Sequence, residues 1–299
     1  MKQLDCIKFW KRCKEVSWMY KSGRTYVQQQ TFEANHELGK ALQREINLAR
    51  NIQIQLLNGK TPKFEGGEVA GSTLPARLIG GDYYDFYPLM NGKIRIVIGD
   101  VMGKGIPAAM LMILTRGAFR SAAESTQGPA ETLTSMNQAL YEDLRTLKSF
   151  VTLFCADWDP KTGIFTYANA GHHIPLYISG RNRTVKELPK VKGIMVGGLP
   201  KQVYKEASIH LVDKDTIFFY TDGIIEAQNK DGEQYKLERL IDTLIKNQDK
   251  GVHELQKSVI DSVNEFIDGV PQKDDITMVL LKVDQSKVDI SSFNSPLSN

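Results

Sequence analysis

Four acidic spots in this chain share one setting. They are Asp82 and Asp85 in GGDYYDF, Asp100 in IVIGDVMGKG, Asp222 in FFYTDG, and Asp274 with Asp275 in KDDIT. Each lies at the edge of a strongly β-like run. A single such Asp is most simply a turn former, since Asp before Gly suits tight turns. Four together imply more. Strand ends at one edge of a sheet converge in space, and clustered carboxylates repel unless a cation neutralises them. Hard divalent ions such as Mg2+, with Mn2+ near it in preference, take oxygen ligands and complete six-coordinate shells with water. The pattern points to a divalent-metal centre.

Other chemistries fit less well. GDVMGKG fails as a phosphate-binding P-loop, because three residues rather than four separate Gly99 from Gly103 and Lys104 precedes Gly105 rather than Ser or Thr. Gly103-x-Gly105-x-x-Ala108 matches the dinucleotide fingerprint. The acid expected after the next strand is missing there, however, and Asp100 would repel a pyrophosphate. GGDYYDF superficially resembles the GGDEF signature of diguanylate cyclases, but Tyr83 and Tyr84 stand where that motif has Glu and Phe. No Ser–His–Asp or Cys–His set is evident. Adjacent residues on a strand face opposite ways, so at most one of His172 and His173 points to a site. A structural role as turn residues suits them better than ligation.

The elements that must position these residues follow from length and patterning. The chain has 299 residues, 41% hydrophobic and 24% charged, an ordinary globular composition. Its net charge of +3 does not indicate a general nucleic-acid binder. Residues 1–30 are basic, with seven Lys/Arg against two Asp/Glu, and carry interleaved aromatics. They read as a membrane-surface or partner-docking helix, or more simply as a short helix packed on a dimer mate or on the body of the protein. Three cysteines without a C-x-x-C suggest reduced thiols and a cytoplasmic setting. The start is too charged for a secretory signal. The longest apolar run, Gly105 to Thr115, is about half of the ~20 residues a membrane span needs.

Residues 31–58 predict one long helix, with Leu38, Leu42, Ile46, Ala49, Ile52 and Leu56 at helical spacing and stop signals at Asn58–Gly59 and Pro62. It is either a dimerising stalk or a helix packed on the domain behind it. From about residue 66, strand-like runs dominate: EVAGSTL, GGDYYDFYPL, KIRIVIGDV after an Asn91–Gly92 turn, SFVTLFCADWD, GIFTYANAG, IPLYIS, KEASIHLV, DTIFFYTDG and DITMVLLKV. Helices are expected at IPAAMLMILTRGAFRSAAE, in QGPAETLTSMNQALYEDL, at YKLERLIDTLIKN and at VHELQKSVIDSVNEFI. Runs of strands with helices inserted between them indicate an α+β fold. The expected divisions are a helical segment over 1–60, a main domain over 61–283 and a loose polar tail over 284–299.

The order PARLIGGDYYDF, IVIGDVMGKGIPAAMLM, YANAGHHIP, GIMVGG, FFYTDGIIEAQN and DDITMVLLKV resembles the SpoIIE/RsbU-type branch of the metal-dependent (PPM) serine/threonine protein phosphatases, over roughly residues 45–283. In texture it is most similar to RsbU-like activators of the bacterial general stress response. The resemblance implies two stacked antiparallel β-sheets flanked by helices, with a binuclear Mn2+ or Mg2+ centre at one edge. It implies Asp100 as the carboxylate bridging both metals, with the Val101 carbonyl as a neighbouring ligand. Asp222 and Asp274 would hold one metal, and Asp82 the other through water. Asp85 and Asp275 would support these ligands, and Arg77 is a phosphate-contact candidate one residue out of step with relatives. Val101 and Met102 replace the Gly-His that follows the bridging acid in eukaryotic relatives, which leaves solvent to protonate the leaving group. The implied substrate is a phosphorylated STAS-type anti-sigma-factor antagonist. Activation is expected through a partner protein or self-association involving residues 1–60. The alternative is a catalytically inactive regulatory module that binds a partner through the same fold.

Overall fold

The computed structural model describes residues 12, 14, 35–57, 61–62, 64, 66–90 and 92–284. The basic aromatic segment, apart from residues 12 and 14, and the tail beyond residue 284 lie outside the described residues. The chain divides into two compact units, Met1–Ile52 and Gln53–Asn299. Helix α1 (35–57) starts in the first. There its apolar stripe is largely exposed, with Leu38, Leu42 and Ile52 at 69%, 54% and 57% and Ile46 half-buried. Gln53 and Leu57, in the second unit, are buried. The division between the two units falls inside α1.

The second unit contains strands β1 (Gly67–Leu74), β2 (Tyr83–Pro88), β3 (Ile94–Val101), β4 (Val151–Asp159), β5 (Ile164–Ala170), β6 (Leu176–Ser179), β7 (Thr184–Glu187), β8 (Glu206–His210), β9 (Thr216–Tyr220) and β10 (Ile276–Val283). They make two five-stranded sheets, ordered β1-β10-β9-β6-β7 and β2-β3-β4-β5-β8, and each strand ladder is antiparallel. The longer helices are α2 (Ile106–Ser125), α3 (Pro129–Thr146), α5 (Lys236–Asn247) and α6 (Val252–Ile267); α4 (Asp222–Ile225) is a single turn after β9.

Period-two alternation sorts the strands into layers. On β3, Ile94, Ile96 and Ile98 join Phe154, Trp158, Phe219, Val279 and Leu281 in the core between the sheets. Val97 and Val101 face the other way and pack with Met112, Phe119, Leu133 and Leu140 under α2 and α3. On the second sheet Phe218, Met278 and Leu280 pack with Leu240, Leu255 and Val259 under α5 and α6. The expected α+β architecture of two stacked antiparallel sheets flanked by helices is the one observed.

Small differences have local causes. GGDYYDFYPL becomes a strand only at Tyr83, because Gly80 and Gly81 serve a loop described below. The β2–β3 connection is the expected hairpin, closed by Leu89 N–H donating to the Lys93 carbonyl at 2.9 Å, with Gly92 at φ 84°. DTIFFYTDG leaves the sheet after Tyr220 and turns helical at Asp222. Strand β7 was not read from the sequence. TVKE lies on a sheet edge, is mostly exposed, and has no apolar alternation to reveal it.

Candidate metal centre

Parity accounts for Asp82, Asp100 and Asp275, while Asp222 and Asp274 lie beyond the ends of β9 and β10 on the other parity. Asp100 continues the even-numbered face of β3, which carries Ile94, Ile96 and Ile98 into the space between the sheets. Thr221 extends the odd face of β9, as Asp275 and Thr277 extend or occupy that of β10. Asp82 shares the parity of Tyr84 and Phe86. β2 and β10 begin at the same edge of the sandwich where β3 and β9 end. Residues more than a hundred positions apart therefore meet.

Hydrogen bonds fix the arrangement. Thr221 Oγ1 donates to Asp82 Oδ2 at 2.8 Å and accepts from the Thr277 N–H at 3.0 Å. The Asp275 carboxylate accepts from Ala76 N–H at 2.8 Å and Gly81 N–H at 2.7 Å, so it holds the loop that precedes Asp82. A Cβ on Gly80 would lie 2.2 Å from Asp275 Oδ2, and one on Gly223 would lie 1.9 Å from the Asp275 carbonyl oxygen. The glycines permit this close packing. The Val101 carbonyl faces the same loop, 3.2 Å from where a Gly81 Cβ would stand. Lys104 Nζ donates to Asp274 Oδ2 at 2.6 Å. Arg77 is exposed, its guanidinium beside Gly105.

Asp85 is not brought into this group. An odd step from Asp82, it faces α2, where Arg120 grips it through two 2.8 Å hydrogen bonds and Tyr83 Oη donates at 3.0 Å. His172 is buried, and its backbone is held on both sides by the Asn169 side chain. His173 is exposed, with its ring centroid 5.6 Å from that of Tyr220 and its charge felt at Asp222.

The electrostatics are those of crowded acids. Burial, then the charges of Asp222, Asp274 and Asp275, push the Asp100 carboxyl up to about 7. Burial and the neighbouring Asp100 push Asp82 well above the usual carboxylate range. Asp222 is raised by burial and by Asp274.

Comparison with known proteins places the chain in a family. Residues 90–284 match the family model for stage II sporulation protein E, SpoIIE. The chain is 31% identical over 262 residues to phosphoserine phosphatase RsbU of Bacillus subtilis (strain 168), covering 87% of this chain and 75% of RsbU. The chain belongs to the SpoIIE family. It is a serine/threonine phosphatase of the metal-dependent PPM type. Two solved structures share the SpoIIE-family fold. The SiaA-PP2C domain of Pseudomonas aeruginosa superposes with a TM-score of 0.70 at 23% identity, covering 82% of this chain and 98% of that one. RsbX in complex with magnesium superposes with a TM-score of 0.53 at 17% identity, covering 74% and 98%.

The donor set suits the metals on which this SpoIIE-type class depends. All the candidates are hard oxygen donors, and their mutual repulsion is what a divalent cation relieves. Among the described residues no three His, Cys, Asp or Glu side chains form a ready-made chelate. Sequence reasoning missed Thr221, although it sits directly before Asp222 in YTDG. It also missed Lys104 as a partner of Asp274, and nothing local in the sequence signals that contact.

Proposed function

We propose that this phosphatase removes phosphate from phosphoserine or phosphothreonine on a small regulatory protein, a STAS-type anti-sigma-factor antagonist. Two divalent ions, Mn2+ or Mg2+, would be held by Asp100 between them, by Asp222 and Asp274 on one, by Asp82 through water on the other, and by the Val101 carbonyl. One observation carries this reading: at one end of the sandwich Asp100 is buried beside Asp222, Asp274 and Asp275, and burial first, then those charges, push its carboxyl up to about 7. When bound, such ions supply a water that ionises near neutral pH for in-line attack at phosphorus, and they offset charge on the phosphoryl oxygens.

The chain's own residues prepare the site. Thr221 orients Asp82, and Asp275 fixes the Gly80–Gly81 loop beside it. Arg77 is placed to approach a phosphate oxygen from the exposed rim. Val101 and Met102 offer no proton to the leaving group, so solvent supplies it. The regulatory input enters through residues 1–60, by a partner protein or by self-association in the cytoplasm. Two contacts support this. Gln53 on α1 donates through Nε2 to the Gly80 carbonyl at 2.7 Å, and its Oε1 accepts from Gly80 N–H at 3.2 Å. The C-terminal end of α1, from Gln53 on, thereby holds the loop that precedes Asp82. Among the described residues no helix is long and apolar enough to cross a membrane.

The test is phosphate release from a phosphorylated STAS-type antagonist and from an unrelated phosphoprotein, with and without Mn2+. The expected result is Mn2+-dependent release favouring the antagonist, and loss of roughly a hundredfold or more in Asp100→Asn. Equal rates on both proteins would remove the substrate class. Equal rates for wild type and Asp100→Asn would remove the metal assignment.

A further inference from the structure

The loop between β3 and α2 carries a lysine between two glycines. Gly103 and Gly105 adopt φ of 102° and 72°, backbone that glycine tolerates without strain. The loop directs Lys104 across to the start of β10. There its Nζ donates to Asp274 Oδ2 at 2.6 Å and to the Lys273 carbonyl at 2.8 Å. The other Asp274 oxygen accepts from Asp275 N–H at 3.0 Å. Both oxygens of this candidate ligand are therefore engaged. The two side chains keep 42% and 32% exposure, and an ion pair that open is weak and exchangeable. The pair lines a cavity of about 190 Å³ together with Glu226, Gln228 and Lys273, which gives the lysine room to withdraw.

We infer that Lys104 is a tethered cation that occupies Asp274 in the metal-free protein and is displaced when a divalent ion binds. This rests on the metal centre proposed above and adds a regulatory element to it. An ammonium and a divalent ion compete for the same carboxylate oxygen, so Lys104 lowers metal affinity and keeps the empty acids from repelling one another. Repulsion among the acids is thereby reduced in the metal-free protein, and metal capture is weakened. Lys273 is the natural control. It is adjacent to Asp274, but its ammonium bonds the Gln228 side chain instead of a carboxylate of the centre.

The experiment is calorimetric titration of Mn2+ into the metal-free full chain, with far-UV circular dichroism to confirm folding. Lys104→Ala and Lys104→Met, the second keeping most of the side-chain stem, are expected to bind Mn2+ at least about tenfold more tightly than wild type. Lys104→Arg keeps the charge and should stay within about threefold of wild type, as should Lys273→Ala. Wild-type binding with unchanged or weaker affinity in folded Lys104→Ala or Lys104→Met would overturn the inference alone. A gain of the same size in Lys273→Ala would also overturn it, by showing a general charge effect. Absence of Mn2+ binding in every form would overturn the inference together with the metal-centre reading.

Discussion

Asp82 and Asp85 differ by three positions and by everything around them. The odd step puts Asp82 toward the space between the sheets and Asp85 toward α2. Their substitutions should separate accordingly. Asp85→Ala removes both hydrogen bonds from Arg120 and the one from Tyr83. It should cost about 2 kcal/mol in urea unfolding while Mn2+ affinity stays within about threefold. Asp275→Asn perturbs the carboxylate that holds Ala76 and Gly81 N–H groups beside Asp82. It should lower Mn2+ affinity by roughly 10- to 100-fold, the usual cost of losing a support behind a metal ligand.

At the scale of elements, two ties join the helices to the sheets. Arg95 on β3 is fully buried and forks onto Asp157 of β4 at 2.7 and 2.8 Å. It also reaches Thr126 and Thr132 across the α2–α3 junction at 2.8 and 2.7 Å. Asp157→Ala strands this guanidinium in the core and should destabilise the domain by about 3–5 kcal/mol in denaturant unfolding. Replacing both partners by apolar residues of similar volume should cost much less, since no unpaired charge remains. The second tie is Gln53 to Gly80. Gln53→Ala removes both hydrogen bonds between α1 and the Asp82 loop. A loss of up to about tenfold in Mn2+ affinity, read by titration, is expected with the fold intact.

For the whole molecule, stability against pH reflects opposing groups. Burial, then the neighbouring His173, pushes His172 down to about 3. The unfolded chain takes up this proton near pH 6.5, whereas the folded chain stays neutral until about 3. Its contribution is fully present above about pH 6.5 and is lost as pH falls toward 3, by at most about 1.4 kcal/mol per unit. Asp100 has the opposite sign. Held up to about 7, it binds its proton more tightly when folded, so metal-free stability from this group declines as pH rises from about 4 to 7. Thermal melts of metal-free protein should show His172→Gln losing less stability than wild type between pH 6.5 and 4. Asp100→Asn should lose less between pH 4 and 7.

The fold was legible because its signals are local. Alternating Ile, Val and Phe, the Asn91–Gly92 turn and the apolar spacing of the helices each act within a few residues and agree with one another. The acids were legible as candidates because Asp at the ends of β-like runs has a short list of uses. What the sequence determined by itself was therefore the order of the elements apart from β7 and the α4 turn, the α+β class and a pool of carboxylates. Tertiary structure decided which of them meet. Strand parity alone sets Asp82 and Asp85 on opposite faces, and the pairing of the sheets gives them their partners, Thr221 for Asp82 and Arg120 for Asp85. The Asp82–Thr221, Gly81–Asp275 and Lys104–Asp274 contacts span 139, 194 and 170 positions, distances over which no local pattern carries information. The elevated Asp100 carboxyl is likewise a property of packing, since burial and neighbouring charge set it.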